Sequence, residues 1–436
     1  MSQSTRTVRF QGHALFWTGL IPLLILLQLF FPSPVWMALL VGMGGAWLLA
    51  YVWVHALAGS LHLEREMRFG WAHVGDRLEE RFTLANTGLI PALWVEVTDL
   101  STLPDYHISQ VTAVGSNTRY SWKTSQVCSR RGMYTLGPTR LRTGDPLGLF
   151  SVSIDIPGFT MLMVMPAIVP LPAIEIAPGG RAGEGRRARP DPIERTVSTR
   201  SVRPFQPGDP KRWIHWPLSI RHQQLYVRTF DSTPASDWWI FLDLDKTAQI
   251  GEGWNSTEEH AVILAASLAD RGLRDGHAVG LAAAGEELVW LRPERTPKQR
   301  LDILRALALV KSGNTHLAQL LQSARPELHR GFSLILITPS MDRGWLEPLA
   351  LLARGRLTPT VLLFEPNSYG AGGEIKSIQS MLASLGMATF VIHRDLLDRP
   401  EAHPGHEGEW EWRVTGLGRA IPVRKPADLS WRKVGG

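Results

Sequence analysis

From Phe10 to Leu63 the chain carries not one Asp, Glu, Lys or Arg. Two apolar runs fill this stretch, Ala14 to Phe31 and Val35 to about Ala58. At ~1.5 Å of rise per residue each is long enough to cross ~30 Å of hydrocarbon. Pro32-Ser33-Pro34 breaks the helix between them. The pattern therefore predicts a tail over 1–13 and a hairpin of two transmembrane helices over 14–58. Gly42, Gly44 and Gly45 allow close helix approach, and Trp17, Trp36, Trp47 and Trp53 suit interfacial or packing positions. A cleaved secretory signal is the alternative. Ala56-Leu57-Ala58 has the form of a cleavage site, but it lies too far from the basic start.

Over 61–178 the apolar period drops to two. Arg77-Leu-Glu-Glu-Arg-Phe-Thr-Leu, Ala92-Leu-Trp-Val-Glu-Val and Thr118-Arg-Tyr-Ser-Trp-Lys read as half-buried strands, separated by turn residues such as Asn86-Thr87-Gly88. Their spacing predicts a β-sandwich-like domain. From Trp238 the pattern changes again, to buried strands alternating with helical stretches. Trp238-Trp-Ile-Phe-Leu-Asp-Leu is the first strand, and Ser256-Thr-Glu-Glu259 has the form of a capping box for the helix that follows. Further strands near Ala278–Ala283, Ser333–Thr338, Thr360–Phe364 and Thr389–His393 make 232–400 an α/β domain with a mostly parallel sheet. Ligands on such sheets bind at the carboxyl ends of strands, here Asp243, Asp245 and the residues after Ile337. Residues 401–436 read as a C-terminal tail.

Charge refines this picture. Lys and Arg total 46 against 40 Asp and Glu, a net +6, and most of that excess lies in a Gly/Arg-rich linker over 179–202 and its edge. Arg181, Arg186, Arg187 and Arg189 suit anionic lipid or an acidic partner surface. No aromatic residue lies among them to stack bases, so nucleic acid is not an expected partner. Two spans put the N-terminus and the body on one side. Arg6, Arg9, Arg65 and Arg68 flank the pair while the turn has no Lys or Arg, which points to a two-pass inner-membrane protein with its soluble domains in the cytoplasm. The one cysteine, Cys128, excludes a disulfide framework and a multi-Cys metal site. Its neighbours Arg130 and Arg131 would favour a thiolate, but a plain structural thiol is the simpler reading. The sequence has no nucleotide-binding glycine loop, Gly-x-Ser-x-Gly elbow or His-Glu-x-x-His helix.

The densest constellation is Arg203-Pro-Phe-Gln-Pro-Gly-Asp-Pro-Lys-Arg-Trp-Ile-His-Trp216 within 203–231. Pro207-Gly208 favours a turn, with Asp209 as a helix N-cap ahead of Pro210. Asp209 and His215 are the residues a hydrolase would use here, although a packed hydrogen-bonded knot needs the same groups. The segment resembles the signature of the domain of unknown function 58 family, carried by Arg203, Pro207, Gly208, Asp209, Arg212, Ile214, Trp216, Leu225, Val227 and Arg228. Arg130-Arg-Gly-Met-Tyr-Thr-Leu-Gly-Pro138, Gly144-Asp-Pro-Leu-Gly-Leu-Phe150 and Met163-Val-Met-Pro166 are similar to the family's upstream stretches.

The resemblance implies a membrane hairpin and a β-rich domain joined to a von Willebrand factor A-like domain. It also implies association with MoxR-type AAA+ ATPases, no catalytic set, and a scaffold or adaptor role in the assembly or maturation of other proteins. In A-domains a metal-dependent adhesion site needs Asp-x-Ser-x-Ser, a later Thr and a later Asp. Here Asp243, Asp245 and Thr247 stand for the first element and Thr315 for the second, while Thr338 occupies the place of the last Asp. Such donors suit Mg²⁺, so a metal-dependent protein-binding module of the cell envelope is the alternative to a metal-free fold.

Overall fold

In this computed structural model the described residues are 5–10, 12–68, 70–106, 108–169, 171, 174–177, 201–205, 216–229, 237–328, 332–354, 357–396, 411–414, 420–424 and 432–433. The chain forms two compact units, Met1–Val169 with Leu304–Leu309 and Asp398–Gly436, and Pro170–Ile303 with Val310–Leu397.

The first unit opens with a short strand, Thr5–Phe10, in what reads as a tail. It pairs antiparallel with Phe150–Ile156. The helix Gly12–Phe30 follows, then residues 31–33, then the helix Pro34–Ser60. Ser33 caps the second helix, its hydroxyl accepting from the Val35 N–H. Pro34–Ser60 is long and apolar enough to cross a membrane, and Gly19–Phe30 is a shorter apolar stretch. The second helix is not exposed to its end. Ala50, Val54, Leu57 and Ala58 are buried with Leu84, Val95, Val97, Leu141, Phe150 and Val152 of the strands. The Trp47 ring meets Phe150 edge-on at 5.6 Å.

Two sheets share that core. One runs in the order Thr5–Phe10, Phe150–Ile156, Thr139–Gly144, Ala92–Asp99, Gln110–Val114, and the other runs Arg432–Lys433, Leu61–Met67, Arg77–Asn86, Thr118–Val127. Alternation produces them: Arg77–Asn86 buries every second residue from Leu78 to Asn86. The strand Leu61–Met67 buries Leu61, Arg65 and Met67 on one face. Arg65, read above as a charge flanking the membrane, is instead buried between the sheets. It makes a bidentate pair with Glu80 at 2.7 and 2.8 Å, reaches Asp99 at 2.7 Å, and lies over the Phe82 ring. Burial pushes the Glu80 carboxyl up, against the opposing pull of Arg65. Burial and then the Asp76 charge push the Cys128 thiol up to about 12, so it is a structural thiol despite its arginine neighbours. Part of the stretch read as a C-terminal tail is strand, since Glu411–Val414 pairs with Ala420–Arg424.

The second unit is built on a six-stranded mixed sheet. Its order is Leu288–Glu294, Val279–Ala284, Asp237–Asp243, Phe332–Thr338, Thr358–Phe364, Ala388–Ile392, with only the Leu288–Glu294 edge antiparallel. Trp239, Phe241, Leu334, Leu336, Val361 and Leu363 share a core with the helices Leu317–Ala324, Leu346–Arg354 and Ile375–Ser384. The helix Thr257–Arg274 contacts the strands Asp237–Asp243 and Phe332–Thr338. As its sequence suggests, the Ser256 hydroxyl caps it by accepting from the Glu259 N–H at 3.2 Å.

Candidate functional site

The central strand ends on Asp243, which is 1 % exposed. A carboxylate there needs donors, and the neighbouring strand supplies one. The Thr338 hydroxyl donates to Asp243 Oδ2 at 2.6 Å, and the Asp245 N–H donates to Oδ1 at 3.1 Å. Burial pushes Asp243 up to about 6, the Asp245 charge adding to the effect and these two hydrogen bonds opposing it.

Two residues on, Asp245 is equally enclosed by its own loop. Its Oδ1 accepts from the Thr247 N–H at 3.0 Å and from the Thr247 hydroxyl at 2.8 Å, while Oδ2 lies 2.5 Å from His316 Nδ1. Burial acts upward on Asp245, yet the His316 and Thr247 hydrogen bonds outweigh it and hold the carboxyl below its ordinary value. His316 is raised in turn, by its hydrogen bond to Asp245 and by that charge, with Asp342 and Asp243 adding.

The loops meet because of two glycines. Asp245 bridges to Gly313, whose carbonyl accepts from the Lys246 N–H at 2.8 Å. A Cβ on Gly313 would stand 2.1 Å from the Gly285 backbone, and one on Gly285 would stand 1.9 Å from the Lys311 carbonyl. No larger residue fits either position. This crossing sets His316, at 61 % side-chain exposure, over Asp245, with Thr315 half-buried beside it. A cleft of ≈ 400 Å³ opens here, lined among others by Asp245, Thr247, His316, Ser340, Asp342 and Trp345.

The four candidate metal-site residues therefore lie at the end of the central strand (Asp243) and on the two adjoining loops (Asp245 and Thr247, Thr315). Each carboxylate oxygen of Asp243 and Asp245 already faces a donor or ring nitrogen of the protein. A Mg²⁺ at Asp245 would have to displace the His316 ring nitrogen from Oδ2 and the Thr247 donors from Oδ1, so the donor set as arranged fits a metal-free loop better than an ion. His316 is the residue that sequence reading missed. It is 71 residues from Asp245, and the only signal was its place directly after Thr315 in Gly313-Asn-Thr-His.

The family signature is only partly visible. Ser201–Pro204 and Tyr226–Thr229 pair antiparallel, matching Arg203 with Val227 and Val202 with Arg228, so the ends of the signature are brought together. Leu225 is exposed, its carbonyl accepting from the Phe205 N–H, and Trp216 is 58 % exposed at the start of the helix Trp216–His222. Pro207, Gly208, Asp209, Arg212, Ile214 and His215 lie outside the described residues, as do Arg181, Arg186, Arg187 and Arg189.

Residues 201–368 match the family model described as "Protein of unknown function DUF58". This segment belongs to the DUF58 family. The DUF58 match runs from the Ser201–Pro204 strand to Ser368, and it contains Asp243, Asp245, His316 and Thr338. The chain is similar to "Uncharacterized protein YeaD" of Bacillus subtilis, with 25% identity over 336 residues, 74% of this chain and 81% of that one. An uncharacterized protein of Mycobacterium tuberculosis (strain H37Rv) is 24% identical over 168 residues, 37% of this chain; the match spans about half, 53%, of that relative. Among solved structures a β-glucosidase from Listeria innocua in complex with glucose overlaps 24% of this chain and 16% of its own, at 9% identity and a TM-score of 0.16. A score that low carries no argument.

Proposed function

We propose that this chain is a non-enzymatic, membrane-anchored scaffold whose DUF58-containing α/β unit docks a cytoplasmic AAA+ ATPase of the MoxR type. The observation that carries the anchor is the return of the chain to one strand-rich unit at both ends of the helix pair. Thr5–Phe10 precedes the helices and pairs with Phe150–Ile156, and Leu61–Met67 follows them without a linker. A single crossing would separate two strands of one sheet by a bilayer, so the arrangement favours a two-pass hairpin. A cytoplasmic body agrees with the uncharged turn and with a lone buried thiol. The order of the mixed sheet, with one antiparallel edge next to the second strand, supports a von Willebrand factor A-like domain. Self-satisfied carboxylates at its carboxyl end suit a docking surface better than acid–base chemistry, which needs a proton acceptor free to act.

The ATPase itself comes from the family resemblance and is tested by pull-down. Full-length tagged chain, extracted from its native membrane in mild detergent, is expected to enrich an AAA+ ATPase over an unrelated membrane bait. A pull-down without one overturns the partner. A cytoplasmic reporter fused after Gly436 is expected to be active, and activity confined to an exported reporter reverses the orientation.

The second reading, a Mg²⁺-dependent binding module, is favoured by the juxtaposition of Asp243, Asp245, Thr247 and Thr315. Calorimetry decides it: Mg²⁺ heats that vanish in Asp243→Ala support it, and no heat in the wild type removes it. A hydrolase on Asp209 and His215 is the weakest of the three.

A further inference from the structure

The apolar helix pair is shorter than it looks. The second helix buries Ala50, Val54, Leu57 and Ala58 in the strand-rich core, and Trp17 of the first helix packs on the same core. The part of Pro34–Ser60 ahead of Ala50 measures about 24 Å at the helical rise, against ~30 Å of hydrocarbon. A hairpin of that reach spans the apolar layer only if the strand-rich unit is drawn down onto the lipid.

Strand register identifies which end would meet it. Phe10, where the chain leaves for the first helix, is opposite Phe150; Ser151 is opposite Gly144; Val95 is opposite Thr143. In the second sheet Leu61, where the chain arrives from the helix, is opposite Asn86, which is opposite Thr118. The turns 86–91, 115–117 and 145–149 therefore all emerge at the end that carries the helices. Their composition is unlike the rest of the surface. Asn86 to Val95 and Val111 to Thr118 contain no charged residue, and between Thr143 and Ile154 only Asp145 is charged. That carboxylate is buried, accepting from the Leu147 and Phe150 N–H groups. Beside the uncharged polar residues Thr87, Ser116, Asn117 and Thr118, this end exposes three leucines: Leu89 is 91 % exposed, Leu147 55 % and Leu93 52 %. Tyr120, 39 % exposed, and the exposed Arg119 lie just past Thr118 and suit a headgroup boundary.

We propose that this end of the strand-rich unit is a lipid-contacting face, with Leu89, Leu93 and Leu147 seated in the bilayer interface around the helix pair. The inference rests on the membrane-anchored reading above. An uncharged, leucine-tipped rim continuous with an apolar helix is what a face at the interface needs, whereas the same rim in water would be an aggregation liability.

The test uses the full chain in phosphatidylcholine/phosphatidylglycerol nanodiscs with single cysteines from Leu89→Cys, Leu147→Cys, Val41→Cys and Phe159→Cys, each labelled with an environment-sensitive fluorophore. Cys128 is buried, and labelled wild type serves as the blank. Phe159 follows Ile156, which is opposite Thr139 at the far end of the sheet, and it is the aqueous reference. Blue-shifted emission at 89 and 147, lost when the lipids carry nitroxides near the headgroup, is expected, with position 159 unaffected. If 41 is quenched while 89 and 147 behave like 159, the face stands clear of the membrane and the inference fails, although the anchor survives. If 41 is not quenched either, the anchored reading fails and takes the inference with it.

Discussion

Burial pushes the Asp243 carboxyl up to about 6 from an ordinary 3.8, even with the Thr338 hydroxyl and the Asp245 N–H bonded to it. The linkage has a definite sign. A carboxyl that holds its proton more tightly folded than unfolded makes the folded state less stable as pH rises through the window from about 4 to 6. Roughly two units at ~1.4 kcal/mol each set an upper bound of about 3 kcal/mol. Asp243→Asn removes that titration, so urea melts are expected to show the variant gaining on wild type between pH 4 and pH 7; a constant difference across that range refutes the assignment. Arg65 is a buried charge handled differently, because Glu80 and Asp99 neutralise it and Thr139 and Ser101 accept from its remaining N–H groups. Arg65→Ala leaves two acids buried without a partner and is expected to cost about 3–5 kcal/mol. Adding Glu80→Leu to Arg65→Met should recover much of that loss, and an equally damaged double variant contradicts the account. Neither residue announces its partners in the sequence. Arg65 does fall on the period-two face with Leu61 and Met67, and that was the legible hint that it turns inward.

Among elements, legibility follows how much contrast each carries. The strand Asp237–Asp243 and the helix Thr257–Arg274 could be read directly, since a short apolar run ending in acids and a capped amphipathic stretch have few other interpretations. The helix Pro34–Ser60 was legible as a helix but not in what it touches. Apart from His55 every residue in it is apolar, aromatic or small, so no period separates the exposed part from the eleven residues, Ala50–Ser60, in which the strand core begins. The strand Thr5–Phe10 was missed because six residues beside a chain end carry too little pattern to distinguish a strand from a tail. The loops of the candidate site were legible as an Asp243/Asp245 pair and a Thr315 loop. Their contact was not, because it depends on the Gly285–Gly313 crossing, a property of packed backbones. One element-scale prediction follows from the dual helix. Leu57→Ala lies within the apolar run yet should destabilise the strand-rich unit by ~2–5 kcal/mol. The same change at exposed Val41 should leave its melting unaltered; equal effects at the two positions would mean that the whole helix serves the membrane.

At the scale of the whole molecule, the helix pair and the strand-rich unit are one folding object. Helix residues Ala50, Val54, Leu57 and Ala58 supply part of the core, and Thr5–Phe10 supplies an edge strand against Phe150–Ile156. The hydropathy of the sequence suggests cutting just after the second apolar run to obtain a soluble body. Such a cut removes the edge strand and exposes Leu84, Val95, Leu141, Phe150 and Val152, which are all fully buried in the intact unit. Filling that space with water costs the transfer energy of each newly wetted side chain, on the order of 1.5–3 kcal/mol apiece. For these five side chains the loss, roughly 8–15 kcal/mol, is as large as the ~5–15 kcal/mol by which domains are ordinarily stable. A chain truncated to residues 61–436 is therefore expected to keep the α/β unit folded but to lose cooperative unfolding of the strand-rich unit, measured by hydrogen exchange on Leu61–Met67 and Arg77–Asn86. Slow exchange in those strands without the helices would show that the unit is stable alone and that the helix is only a tether. Fast exchange would mean that the helices are an integral part of this unit's fold, so any partner recognising its strands recognises only a chain that keeps them.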